Sequence, residues 1–161
     1  MKRWIFRIIA GLTLAGLILA TNHWLNADQP APPEVWQSMA TGQLEILRPD
    51  GEIDQLTVRI AQTPTQRAQG MQFLPAAVIR EHPMWFVFET PQVQSWHMRN
   101  VQLALDILYV DANGLIIGRE MMEPQGSGYG IGQPIAAALE LAAGQAEQYG
   151  LRAGVRLQLQ E

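Results

Sequence analysis

Leu105-Asp106-Ile107-Leu108-Tyr109-Val110-Asp111-Ala112-Asn113-Gly114-Leu115-Ile116 is the stretch on which the fold turns. Aliphatic and aromatic residues run from Leu105 to Val110, broken only by Asp106, as in a strand covered on both faces. Asp111-Ala112-Asn113-Gly114 then supplies a turn, with Asn-Gly where the backbone wants φ > 0. Apolar residues resume at once, so the stretch predicts a β-hairpin with strands 105–110 and 115–121. Side chains alternate across a strand. Asp106 therefore shares a face with Leu108 and Val110, and Leu105, Ile107 and Tyr109 point the other way.

The flanking segments repeat this rhythm. Residues 43–48 and 55–61 alternate in polarity around Pro49-Asp50-Gly51-Glu52, a turn in which proline presets φ and glycine accepts a positive one. Residues 84–88, Met-Trp-Phe-Val-Phe, form a continuous apolar strand. Further strands are predicted at 93–98, 136–141 and 155–159, and a long glycine-rich loop at 124–132 around Tyr129. Thr63 suits an N-cap, Pro64 the first helical position and Gly70 the residue past the end, so 63–70 reads as a short helix. Further helical turns are expected near 76–81 and 143–150. Eight or so short strands at about ten-residue spacing predict a mainly β chain. The expected form is a compact single-domain β-sandwich or barrel-like fold with one or two short helical turns.

The 161 residues suffice for one domain and an appendage. Lys2, Arg3 and Arg7 precede the first acid, Asp28, and residues 8–20 are apolar throughout except for Thr13. Residues 1–27 are therefore expected to be a signal peptide or an amino-terminal membrane anchor. The apolar run is shorter than the ~20 residues of a comfortable span; residues 4–20 are the membrane contact if the segment stays uncleaved. Either topology places the body in the periplasm or another extracytoplasmic space, secreted or anchored to the inner membrane. Residues 28–42, with Pro30, Pro32 and Pro33, are expected to be a linker, and 43–161 the β domain. Trp36 within the linker either docks on the body or sits at the membrane surface. Beyond residue 27 the chain carries a charge of about −7, which opposes nucleic-acid binding. There is no cysteine, which excludes disulfides, thiolate metal sites and a cysteine nucleophile.

Three blocks resemble the domain of unknown function 192 family of bacteria and archaea. They are Thr65-Gln66-Arg67-Ala68-Gln69-Gly70-Met71, Trp96-His97-Met98-Arg99-Asn100 with the strand 105–111, and Leu139-Glu140-Leu141-Ala142-Ala143-Gly144 with Gly150-Leu151-Arg152-Ala153-Gly154. The likeness covers roughly 44–161. It implies an often exported, compact, mostly β sandwich with no established activity. His97 shifts the family's central pattern. Arg99 stands where the family has lysine, Ala104 and Ala142 where it has proline, and Val155 where it closes on aspartate.

Candidate site residues cluster around the central block. Asp106 lies on an apolar face and needs a partner; Arg99, Arg67 and the Asn100 amide are the expected ones. Trp96 and Tyr129 beside these polar groups suit a small-ligand cleft, and His97 adds a titratable group. The candidate ligand-binding set is thus Trp96, His97, Arg99, Asn100, Asp106, Arg67 and Tyr129. Two body histidines without carboxylates at ligand spacing point to no metal, and no cofactor is expected. Ser127 lacks the strand–elbow–helix setting of a serine nucleophile. The leading reading is a ligand-binding or accessory module of the cell envelope, with a small molecule or an envelope protein as partner. A membrane-tethered interaction domain comes second. A hydrolase-like enzyme comes third, with Asp106 as acid or base and Arg99 as anion clamp.

Overall fold

The computed structural model describes residues 30–160; the leader or anchor expected over 1–27 lies outside them. The strands are β1 (Ala40–Leu47), β2 (Ile53–Ala61), β3 (Met84–Gln92), β4 (Trp96–His97), β5 (Leu105–Val110), β6 (Ile116–Met122), β7 (Ser127–Tyr129), β8 (Ile135–Ala142) and β9 (Arg156–Leu159). The helices are α1 (Glu34–Gln37), α2 (Pro64–Gln69), α3 (Ala76–Glu81) and α4 (Gln145–Gln148).

The chain is mainly β, as its sequence predicts. Its main sheet has seven strands in the order β6-β5-β8-β3-β2-β1-β9, and β4 and β7 form a separate two-stranded sheet. The main sheet is mixed: β2 and β3 run parallel while their neighbours pair antiparallel. A parallel pair needs a crossover, and α2 and α3 provide it. The sheet curls until Leu115 near one edge bridges Arg156 at the other. The ladder stops at that bridge, so no barrel closes.

Two apolar clusters account for the sheet. Leu108, Val110, Leu139 and Leu141 join β1, β2 and β9 residues in one; Leu105, Ile107, Tyr109 and Ala138 join Trp36, Phe86 and Met98 in the other. Every residue of β5 is buried, which explains its near-continuous apolar run. The hairpins form where the turn chemistry places them. Arg48 and Glu52 close the first, with Gly51 at φ 91°. In the second, Asp111 Oδ1 accepts from the amides of Asn113 and Leu115, and Gly114 takes φ 79°. Thr63 and Gln66 form a reciprocal capping box on α2.

Three segments differ from expectation. Part of the predicted 28–42 linker is structured: it holds α1 and the start of β1. Trp36 packs into the core at 4% exposure beneath the Arg59 guanidinium, 4.3 Å from its ring. The predicted strand at 93–98 shrinks to β4, because exposed Val93 and the neighbouring polar residues leave it little apolar surface to bury. The predicted loop at 124–132 contains β7, which pairs Tyr129 with Trp96.

Candidate functional site

A cleft of about 240 Å³ opens between α2 with its following turn, β3, and β4. Phe86, Phe88 and Trp96 give it an aromatic wall. Trp96 is half-buried and meets Phe86, Phe88 and Tyr109 edge-on, at ring separations of 6.4, 6.4 and 5.5 Å. These are favourable aromatic geometries, and they fix the indole. Its strand is held from outside by β7, whose own anchor is Glu120. That carboxylate accepts from the Tyr109 hydroxyl and, at 2.9 Å, from the Gly130 amide. The buried Tyr109 hydroxyl has its pKa raised, by desolvation first and by Glu120 second.

Glu140 lines the cleft from β8 and is 5% exposed. Its cross-strand neighbours are Met84 on β3 and Ile107 on β5, both fully buried. Its carboxyl takes no part in the side-chain hydrogen bonds or the ion pair of the described residues, and its oxygens keep some exposure rather than being sealed in. Burial pushes its pKa up to about 8, because removal from water disfavours the charged form. At neutral pH this carboxyl is therefore protonated, able to donate as well as accept a hydrogen bond.

Arg67 sits on the cleft wall. Its Nη1 donates to the carbonyls of Gln62 at 2.6 Å and Val87 at 2.9 Å, and its guanidinium lies 5.4 Å from the Phe88 ring. The capping box sets the helix that carries it. Strain collects beside this wall. Phe73 and Asn100 both adopt φ 60°, the Phe73 amide donates to the Asn100 carbonyl at 2.9 Å, and Asn100 Nδ2 donates to Gln72 Oε1 at 3.1 Å. Neither residue is glycine, so each conformation costs energy.

The seven expected residues separate. Trp96, His97 and Arg67 line the cleft. Tyr129 supports it from β7, its hydroxyl accepting from the Glu123 amide at 2.9 Å. Asn100 lies outside the lining and ties to Phe73 and to Gln72, which is in it. Arg99 is exposed and outside the lining. Asp106 belongs to the opposite face of β5, and its partners are none of the expected side chains. Its Oδ2 accepts from the backbone amides of Gly144 at 2.8 Å and Ala146 at 3.1 Å. It thereby caps α4, whose own N-cap is Gly144 with no side chain to offer.

Glu140 was not among the expected residues. Its signal was legible, for it is the single acid in the otherwise apolar run 135–142. Asp106 posed the same puzzle one strand away, and only the sheet shows which acid meets the cleft. Among the described residues no three His, Asp or Glu side chains converge as a metal site, and no helix is long and apolar enough to cross a membrane.

Two solved structures resemble the chain over most of its length. One is a protein of Sinorhizobium meliloti 1021, provisionally described as a transcription regulator. It is 30% identical with a TM-score of 0.69, covering 76% of this chain and 95% of its own. The other is a protein of unknown function from Novosphingobium aromaticivorans DSM 12444. It is 18% identical with a TM-score of 0.62, over 80% of this chain and 99% of its own. No curated protein sequence matches. The model of the DUF192 family, described as an uncharacterized ACR, matches residues 45–159. That span takes in the cleft, the Asp106 cap and nearly every strand, and the chain belongs to the domain of unknown function 192 family.

Proposed function

We propose that this chain is an exported module of the cell envelope that binds a small ligand in the Trp96 cleft. The observation that carries the reading is Glu140, a carboxyl without a protein partner at a cleft walled by three aromatic rings. Buried polar groups are ordinarily satisfied within the fold. One left open to a concave, mostly apolar site has the make-up of a ligand-recognition group. Export is supported by the basic start and the apolar run at 8–20, whether the segment is cleaved or retained as an anchor.

The hydrolytic alternative loses its physical support. Asp106 is engaged by two backbone amides on the other face of β5, and Arg99 stands outside the cleft. A role in transcription, the provisional description of the Sinorhizobium protein, fits poorly with a body charge of about −7.

A thermal-shift screen of small polar aromatics, sugars, amines and carboxylates against the full chain tests the reading. At least one class raises the melting temperature of the wild type and of Arg99→Ala, and loses that effect in Trp96→Ala. A ligand that stabilises Trp96→Ala as well as the wild type would place binding elsewhere.

A further inference from the structure

We propose that the cleft takes a small organic cation, with an ammonium head group against the Glu140 carboxylate and its carbon skeleton on the rings of Trp96, Phe86 and Phe88. The inference rests on the reading of the cleft as a ligand site and goes further by naming the charge and class of the ligand.

The argument starts from what surrounds Glu140. Along β8 its same-face neighbours are Ala138 and Ala142, and across the sheet they are Met84 and Ile107. None offers a donor. The titratable and charged groups that approach from the packed elements are few. From β5 comes Tyr109, whose hydroxyl is committed to Glu120. From α2 comes Arg67, with Nη1 shared between the Gln62 and Val87 carbonyls and its plane against Phe88. From β4 comes His97, exposed on the cleft lining. β3 contributes only Met84, Phe86 and Phe88. A buried carboxylate needs a counter-charge, and no described residue delivers one.

The rings favour the same class of ligand. Aromatic faces attract cations, most strongly where water is excluded, and Trp96 is the strongest such surface among the common side chains. The volume is below the ~300 Å³ at which drug-sized pockets begin, so the ligand is about one ring in size. Arg67 on the wall keeps Nε and Nη2 without a described acceptor, so an anion would find a donor there; it is the acid, buried at 5% exposure, that favours a cation in the depth of the cleft.

Charge must balance on binding. In the empty cleft Glu140 holds its proton at neutral pH. An arriving ammonium group ionises it, and that proton leaves to solvent while the N–H···O contact forms. Affinity for a cation therefore rises with pH up to the pKa of the free carboxyl, and affinity for an anion falls.

Calorimetric titration of the full chain with benzylamine, benzyl alcohol and benzoate separates the cases, since the three share a ring and differ in head-group charge. Running each in two buffers of different ionisation enthalpy counts the protons. Benzylamine should bind at least about tenfold more tightly than the other two, release close to one proton near pH 7, and gain about tenfold in affinity from pH 6 to pH 7. Glu140→Gln should abolish both the preference and the release. Arg99→Ala, a change outside the cleft lining, should keep both. Tighter binding of benzyl alcohol or benzoate, lost in Trp96→Ala, would overturn the cation and leave the cleft a ligand site. Equal binding of all three without proton release, or no binding by any, would also overturn it; the broader screen described above then decides the fate of the cleft itself.

Discussion

Replacing Glu140 with glutamine should stabilise the empty fold, by an amount that grows with pH. The carboxyl titrates near 4.5 when free in solution and at about 8 in the folded protein. A folded pKa above the unfolded one means that the native state keeps a proton the unfolded chain gives up. The stability tied to this group is therefore full below about pH 4.5 and is lost as pH rises toward 8. Each pH unit in that window favours unfolding by about 1.4 kcal/mol. The wild type has then lost roughly 3 kcal/mol near pH 7, and less than about 1 kcal/mol near pH 5. Glutamine copies the shape of the protonated acid and does not titrate. Urea denaturation of both full chains at matched ionic strength should show Glu140→Gln ahead by under about 1 kcal/mol near pH 5 and by ~3 kcal/mol near pH 7. Against a typical net stability of about 5–15 kcal/mol, that is a large sacrifice for the native residue. A gap of equal size at both pH values would refute the reasoning, since it would mean that Glu140 is charged in the native state or compensated there.

Asp106→Ala should destabilise the fold by about 2–4 kcal/mol, because two amides near α4 lose their acceptor, while leaving ligand binding at the cleft intact. Denaturation alongside hydrogen exchange at Gly144 and Ala146 reads this, and weakened ligand affinity with unchanged stability would contradict the cap. Gly114→Ala should cost about 2–3 kcal/mol by thermal melting, because φ is 79° and the added Cβ would stand 2.7 Å from the Leu157 carbonyl oxygen; an unchanged melting temperature would count against that turn. Thr63→Ala should cost about 1 kcal/mol through loss of the capping box on α2, and indifference in the same melt would show that the cap is not needed there.

Local chemistry made much of this fold readable. The Asn113-Gly114 and Asp50-Gly51 turns, the Thr63–Gly70 helix and the buried run 105–110 each carry their structure in adjacent residues. Long-range choices left no such mark. The parallel pairing of β2 with β3 depends on how the intervening crossover packs, and neither strand alone encodes it. β4 and β7 are two and three residues long, too short for alternation to register. The site divides the same way. Trp96, His97 and Arg67 were recognisable as an aromatic beside nitrogen-bearing polar side chains. Asp106 and Glu140 looked alike, each a lone acid in an apolar strand. One is satisfied by amides 38 and 40 residues along the chain, and the other by no described residue.

The bridge between Leu115 and Arg156 has a consequence for biosynthesis. β1 pairs on its outer side with β9, joining residues 44–47 to 156–159. Among the described strands, the first is thus completed by the last. Until then β1 presents open N–H and C=O groups, and such a row invites pairing with another chain. Deleting β9 would leave that row open permanently and remove the Arg156 end of the bridge to Leu115, so a small deletion would replace a four-residue edge strand with the longer bare edge of β1.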